Sequence, residues 1–101
     1  MSDSRLKSTE NDALFEAILK LESVEECYCF FEDICTITEL KSIAQRLSVA
    51  KLLRENVTYQ DISAQLGAST ATISRVNRAL TYGTGGYGIV LDRLAEEGKE
   101  P

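Results

Sequence analysis

From Asn11 onward, apolar residues recur three and four apart along this chain. Leu14, Phe15, Ile18, Leu19 and Leu21 set the first such stripe, the spacing of one helix face. Ser23 with Glu26 three residues on has the form of a capping box. It predicts a second helix carrying Val24, Cys27, Tyr28, Phe31 and Ile34. Thr36 with Glu39 repeats the box and opens a longer helix to about Glu55, with Leu40, Ile43, Leu47 and Ala50 on one stripe. Val49, Leu52 and Leu53 widen that stripe beyond a single face. Two more helices flank Gly67, and a last one carries Ile89, Val90, Leu91, Leu94 and Ala95. Residues 1–10 and 96–101 are polar and without period, so a loose arm and a frayed tail are expected there. No stretch alternates as a strand does. The expected fold is all-α, with six helices in a single domain over residues 11–95.

The segment 58–80 carries the densest set of local signals. Thr58 is a good N-cap, and Asp61 in the first turn suits the helix dipole. Ile62 and Leu66 form a buried stripe. Gly67 follows at the position where a chain leaves a helix in the left-handed conformation. Ser69 then caps the next helix. Ser63 is small enough for two helices to cross closely. With residues placed about 100° apart, Ile73, Val76 and Leu80 fall on one side and face a core. Ala71, Ser74, Arg75 and Arg78 fall on the other. That outer face is small, polar and basic, and it carries no acid. A major groove lined by phosphates admits such a face: small residues permit approach, hydroxyls reach bases or waters, and arginines bind guanine or phosphate. The pattern predicts a helix-turn-helix with Gln60, Ser69, Thr70, Ala71, Thr72, Ser74, Arg75 and Arg78 against double-stranded DNA. An ordinary helical hairpin with a solvated face is the bland alternative.

Charge supports this placement once it is resolved along the chain. The net charge of the 101 residues is −5, which by itself disfavours a nucleic-acid partner. Residues 36–82, however, hold Lys41, Arg46, Lys51, Arg54, Arg75 and Arg78 against Glu39, Glu55 and Asp61. The acidic excess sits in residues 1–35 and 83–101, where it would repel DNA and help orient the basic middle.

Other chemistry is sparse. There is no histidine and no nucleophile–base constellation, so no enzyme is expected. Cys27, Cys29 and Cys35 are an odd set with no finger spacing, expected as reduced thiols packed as small hydrophobes, with no metal. The run Gly83-Thr84-Gly85-Gly86-Tyr87-Gly88 lacks the strand and the Lys-Ser/Thr of a phosphate loop. It is expected to be a helix C-cap at Gly83 and a connector. No apolar run approaches the roughly 20 residues of a membrane span, and the first residues do not resemble a secretory signal. A cytoplasmic protein without membrane attachment is expected. Short helices that are apolar on more than one side are hard to bury in one small monomer, which favours a homodimer.

Leu52-Leu53-Arg54, Thr58, Leu66-Gly67-Ala68 and Ala71-Thr72-Ile73-Ser74-Arg75 resemble the Trp repressor superfamily, nearest its small Trp-repressor-related branch, the YerC/YecD type. The resemblance follows helix order over most of the chain and is specific over about forty residues. It implies a six-helix, intertwined homodimer that reads a palindromic operator as a transcriptional regulator of the repressor kind. The alternative is a helical interaction or dimerisation module that binds no DNA. The repressor holds tryptophan between two arginines. In an ungapped alignment one of these is Arg75, the other falls on Gln45, and the glycine after the first is Val76. Gln45, Arg75 and Val76 therefore mark the place of an effector pocket. Gln45 cannot stack as a cationic plane and Val76 adds bulk, so no tryptophan corepressor or other cofactor is predicted.

Overall fold

The computed structural model describes residues 4–98. Among these there are six α-helices and no strand: α1 (Thr9–Ile18), α2 (Val24–Ile34), α3 (Ile37–Arg54), α4 (Tyr59–Leu66), α5 (Thr70–Tyr82) and α6 (Gly86–Gly98). The all-α expectation holds. No described helix is long and apolar enough to cross a membrane. The chain divides between Ile37 and Thr38 into two compact units.

In the first unit, Ser8 caps α1 by accepting the Asn11 N–H at 3.0 Å. Lys7 pairs with Asp12 at 2.7 Å. Thr9 and Glu10 are already helical, so the loose arm expected over residues 1–10 gives up its end to α1. Residues 1–3 of that arm lie outside the described residues. The helix stops at Ile18, leaving Leu19 and Leu21 of its apolar stripe beyond it. Ser23 caps α2 by accepting the Glu26 N–H at 3.1 Å. Glu26 in return takes the N–H of Glu22 at 2.8 Å, one residue ahead of the cap N–H that a reciprocal box uses. Neither α1 nor α2 buries a residue. The thiols are free; Cys27 and Cys35 are half-buried and Cys29 is exposed, so the last is not the packed hydrophobe expected.

The second unit holds the core. Val49 and Ala50 of α3, Ile62 of α4, Ala68 of the turn, Ile73 and Val76 of α5 and Leu91 of α6 form one buried cluster. Leu52, Leu53, Val57, Tyr59, Leu66, Leu80 and Tyr87 pack around it. The wide apolar surface of α3 is thus used near its C-terminal end. Ile43 and Leu47, expected on the buried stripe, are 50% and 38% exposed. A pattern of apolar residues identifies faces but does not say which one meets the core.

α3 ends in a Schellman motif that the sequence did not suggest. The Asn56 N–H reaches Leu53 O, and the Val57 N–H reaches Leu52 O, both at 3.0 Å. Asn56 adopts φ 64°, the left-handed region that asparagine tolerates best after glycine. At the other end of the unit, α6 starts at Gly86. The connector is therefore shorter than the glycine run: Gly86, Tyr87 and Gly88 are helical. Glu96, Glu97 and Gly98 also belong to α6, where a frayed tail was expected; residues 99–101 of that tail lie outside the described residues.

Candidate nucleic-acid interface

The turn that positions the candidate interface is built from local capping. Thr58 Oγ1 accepts the Asp61 N–H at 3.2 Å and starts α4. Gly67 ends it at φ 68°, ψ 16°, donating its N–H to Ser63 O at 2.8 Å. Ala68 is buried beneath the turn. Ser69 caps α5 by accepting the Thr72 N–H at 3.1 Å, and its own hydroxyl donates to Thr72 Oγ1 at 3.1 Å. Ile73 and Val76 are buried in the shared core. The two helices are joined across a left-handed glycine and a buried alanine, and their buried residues share one cluster with Val49 and Ala50 of α3.

The face of α5 opposite Ile73 and Val76 is open. Thr70, Ala71, Ser74, Arg75 and Arg78 are exposed, as is Gln60 on α4. α5 carries no acidic residue. Among the described residues, Arg75 and Arg78 have no hydrogen-bond or ion-pair partner. Two other arginines of this unit are committed elsewhere, Arg54 to Asp92 and Arg46 to Ser42 of its own helix; Arg93, on α6, is exposed and also without such a partner. Ser69 and Thr72 differ from the rest of the expected set. Their hydroxyls are engaged in the cap, and Thr72 is half-buried, so they shape the start of α5 and offer little free bonding capacity.

One exposed residue was not among those expected. Tyr82 is 82% exposed, and the 100° count that places Arg75 and Arg78 outward places Tyr82 beside them. Extending that count one turn further along α5 would have found it.

The expected effector positions have different surroundings. Gln45 Nε2 donates to Leu66 O at 3.3 Å. It lines a surface groove of about 530 Å³ with Lys41, Ser48 and Leu66, and neither Arg75 nor Val76 lines it. Val76 lies in the core and Arg75 at the surface.

Comparison with known proteins agrees with this architecture. The family model for the Trp repressor protein matches residues 9–95. An uncharacterised protein of Bacillus subtilis (strain 168), YerC, is 54% identical over 96 residues, covering 95% of this chain and 92% of its own. A TrpR-like protein from Eubacterium eligens ATCC 27750 has a crystal structure that superposes with a TM-score of 0.88 at 55% identity, over 92% of this chain and 96% of that one. A crystal structure from Staphylococcus aureus gives a TM-score of 0.87 at 50% identity, over 90% and 91% of the two chains. With the family match running from α1 into α6, this chain belongs to the Trp repressor family.

Proposed function

We propose that the protein is a sequence-specific DNA-binding transcriptional regulator that acts as a repressor. It would bind as a homodimer, laying α5 of each protomer in successive major grooves of one operator. The observation that carries this is the outer face of α5: exposed, free of acid, and presenting two arginines that nothing in the described chain neutralises. A solvated helix face with no partner would more often show mixed signs of charge. Family membership supports the same reading.

In this role Arg75 and Arg78 anchor the helix on phosphate or guanine, while Thr70, Ala71 and Ser74 approach base edges. Ala71 and Ser74 let the helix come close. Gln60 and the unbonded N–H groups at the start of α5 hold phosphates, as helix N-termini do. The two helices of a dimer would sit about 34 Å apart, the spacing general to dimeric helix-turn-helix proteins.

Selection of genomic fragments with the purified protein, followed by anisotropy titrations across salt concentrations, tests this reading. Binding is expected to weaken steeply as salt rises. Arg78→Ala should lower affinity and flatten the log–log salt slope by about one unit, the loss of one phosphate contact. An unchanged slope removes Arg78 from the interface. The net charge of −5 favours a second reading, a helical interaction module without DNA binding. Absence of salt-dependent binding to any duplex would establish that one instead.

A further inference from the structure

We propose that Gln45 is a positioning residue for the α5 face: by holding the last carbonyl of α4 against α3, it presets in the free protein the angle at which α5 is presented. The consequence for DNA rests on the function proposed above; the positioning itself does not.

The argument begins with what α4 leaves unsatisfied. The carbonyls of a helix's last turn have no intrahelical partner. Gly67 supplies one N–H, but it goes to Ser63 O. Leu66 O is taken by Gln45 Nε2, from a residue 21 positions earlier and on a different helix, in a part-buried setting. The core contacts that join α3 to α4 and α5 are apolar, with Val49, Ala50, Ile62, Ile73 and Val76 in one buried cluster. Apolar burial is non-directional. Interdigitated packing of such side chains brings the helices together and sets their crossing angle only to within about 15–20°. A hydrogen bond fails when its angle is lost, so this one fixes the angle within that range.

Its position makes that angle matter. Leu66 is followed by Gly67 in its left-handed conformation, by buried Ala68 and by the Ser69 cap. Three residues with fixed conformations separate the held carbonyl from α5, so a turn of the α4 terminus passes into α5. α5 has 13 residues, which makes it about 20 Å long. A 10° tilt at its start therefore carries its far end by about 3 Å, beyond the tolerance of a directional contact.

The test uses the full-length protein and three variants. Gln45→Met keeps length and volume and removes the donor. Gln45→Glu keeps the shape and replaces the donor with an acceptor. Gln45→Lys restores a donor. Residual dipolar couplings of the free protein report the orientation of α5 relative to α3. Anisotropy on a duplex selected by the wild type reports affinity. Gln45→Met and Gln45→Glu are expected to shift the α5 couplings relative to those of α3 and to lower affinity about tenfold or more, the scale of one mismatched base pair. The salt slope should stay unchanged, because no phosphate contact is lost. Gln45→Lys should recover most of both. Wild-type couplings and affinity in the Met and Glu variants would overturn the proposal, as would a reduced salt slope. Shifted couplings together with a wild type that binds no duplex would sink the DNA reading and leave the positioning role standing.

Discussion

Two glycines show how much a single position depends on its surroundings. Gly67 and Gly83 both follow a helix directly and read alike in sequence. Gly67 sits at φ 68° with nothing within 4 Å of where a Cβ would be. Its demand is conformational alone, so Gly67→Ala should cost about 1 kcal/mol. Gly83 has an ordinary φ of −82°, yet a Cβ there would run into the backbone carbonyl of Ala79. A backbone atom in a helix cannot step aside, so Gly83→Ala should cost more, about 1–3 kcal/mol. Thermal unfolding of the two variants checks the order. An equal or smaller loss at Gly83 would mean that the end of α5 relaxes freely. Gln45 and Tyr82 make a related point. Neither a tie to a carbonyl 21 residues away nor an aromatic exposed one turn past the expected face follows from residue type.

At the scale of the element, capping carries most of what the sequence could reveal. Ser69 caps α5 through the Thr72 N–H and also donates to the Thr72 hydroxyl. Ser69→Ala removes both bonds and should cost about 1 kcal/mol. Ser69→Asp keeps an acceptor and adds a charge that the helix dipole favours, so it should unfold close to the wild type. The same charge would meet the phosphates of a duplex docked at the start of α5, and affinity should fall sharply. Full affinity in Ser69→Asp would show that this end of α5 does not face DNA. Thr58, Gly67, Ser69, Ile73 and Val76 were legible because each acts within one or two turns of itself. The partner of α3 was not. Leu40, Ile43 and Leu47 form as good an apolar stripe as the residues around Val49, and period alone cannot choose between them. The start of α6 was missed for the opposite reason. Gly86 and Gly88 suggest a loop by composition, but nothing at either position requires glycine, and the helix runs through them.

For the molecule as a whole, the first unit raises the question of association. α1 and α2 bury no residue, while Phe15, Leu19, Val24, Tyr28 and Ile34 remain half or more exposed. Two short helices with uncovered apolar faces do not hold together in water, since helix stability in proteins comes mainly from packing. The proposed homodimer supplies the missing cover, and it predicts that folding and association are linked. Linkage makes stability depend on protein concentration. Each tenfold rise in concentration contributes about 1.4 kcal/mol to the folded dimer. Spread over roughly 200 residues, that corresponds to an increase of about 3–5 °C in Tm per decade. Melting curves recorded from about 1 to 100 μM should therefore move upward together when followed by circular dichroism and by aromatic fluorescence. Sedimentation over the same range should give twice the chain mass, with dissociation coinciding with loss of helix. A melting temperature independent of concentration, with a single-chain mass throughout, would show that the apolar faces of α1 and α2 are satisfied within one molecule. The two-helix spacing proposed for operator binding would then have no physical basis, and only a monomeric contact through α5 would remain.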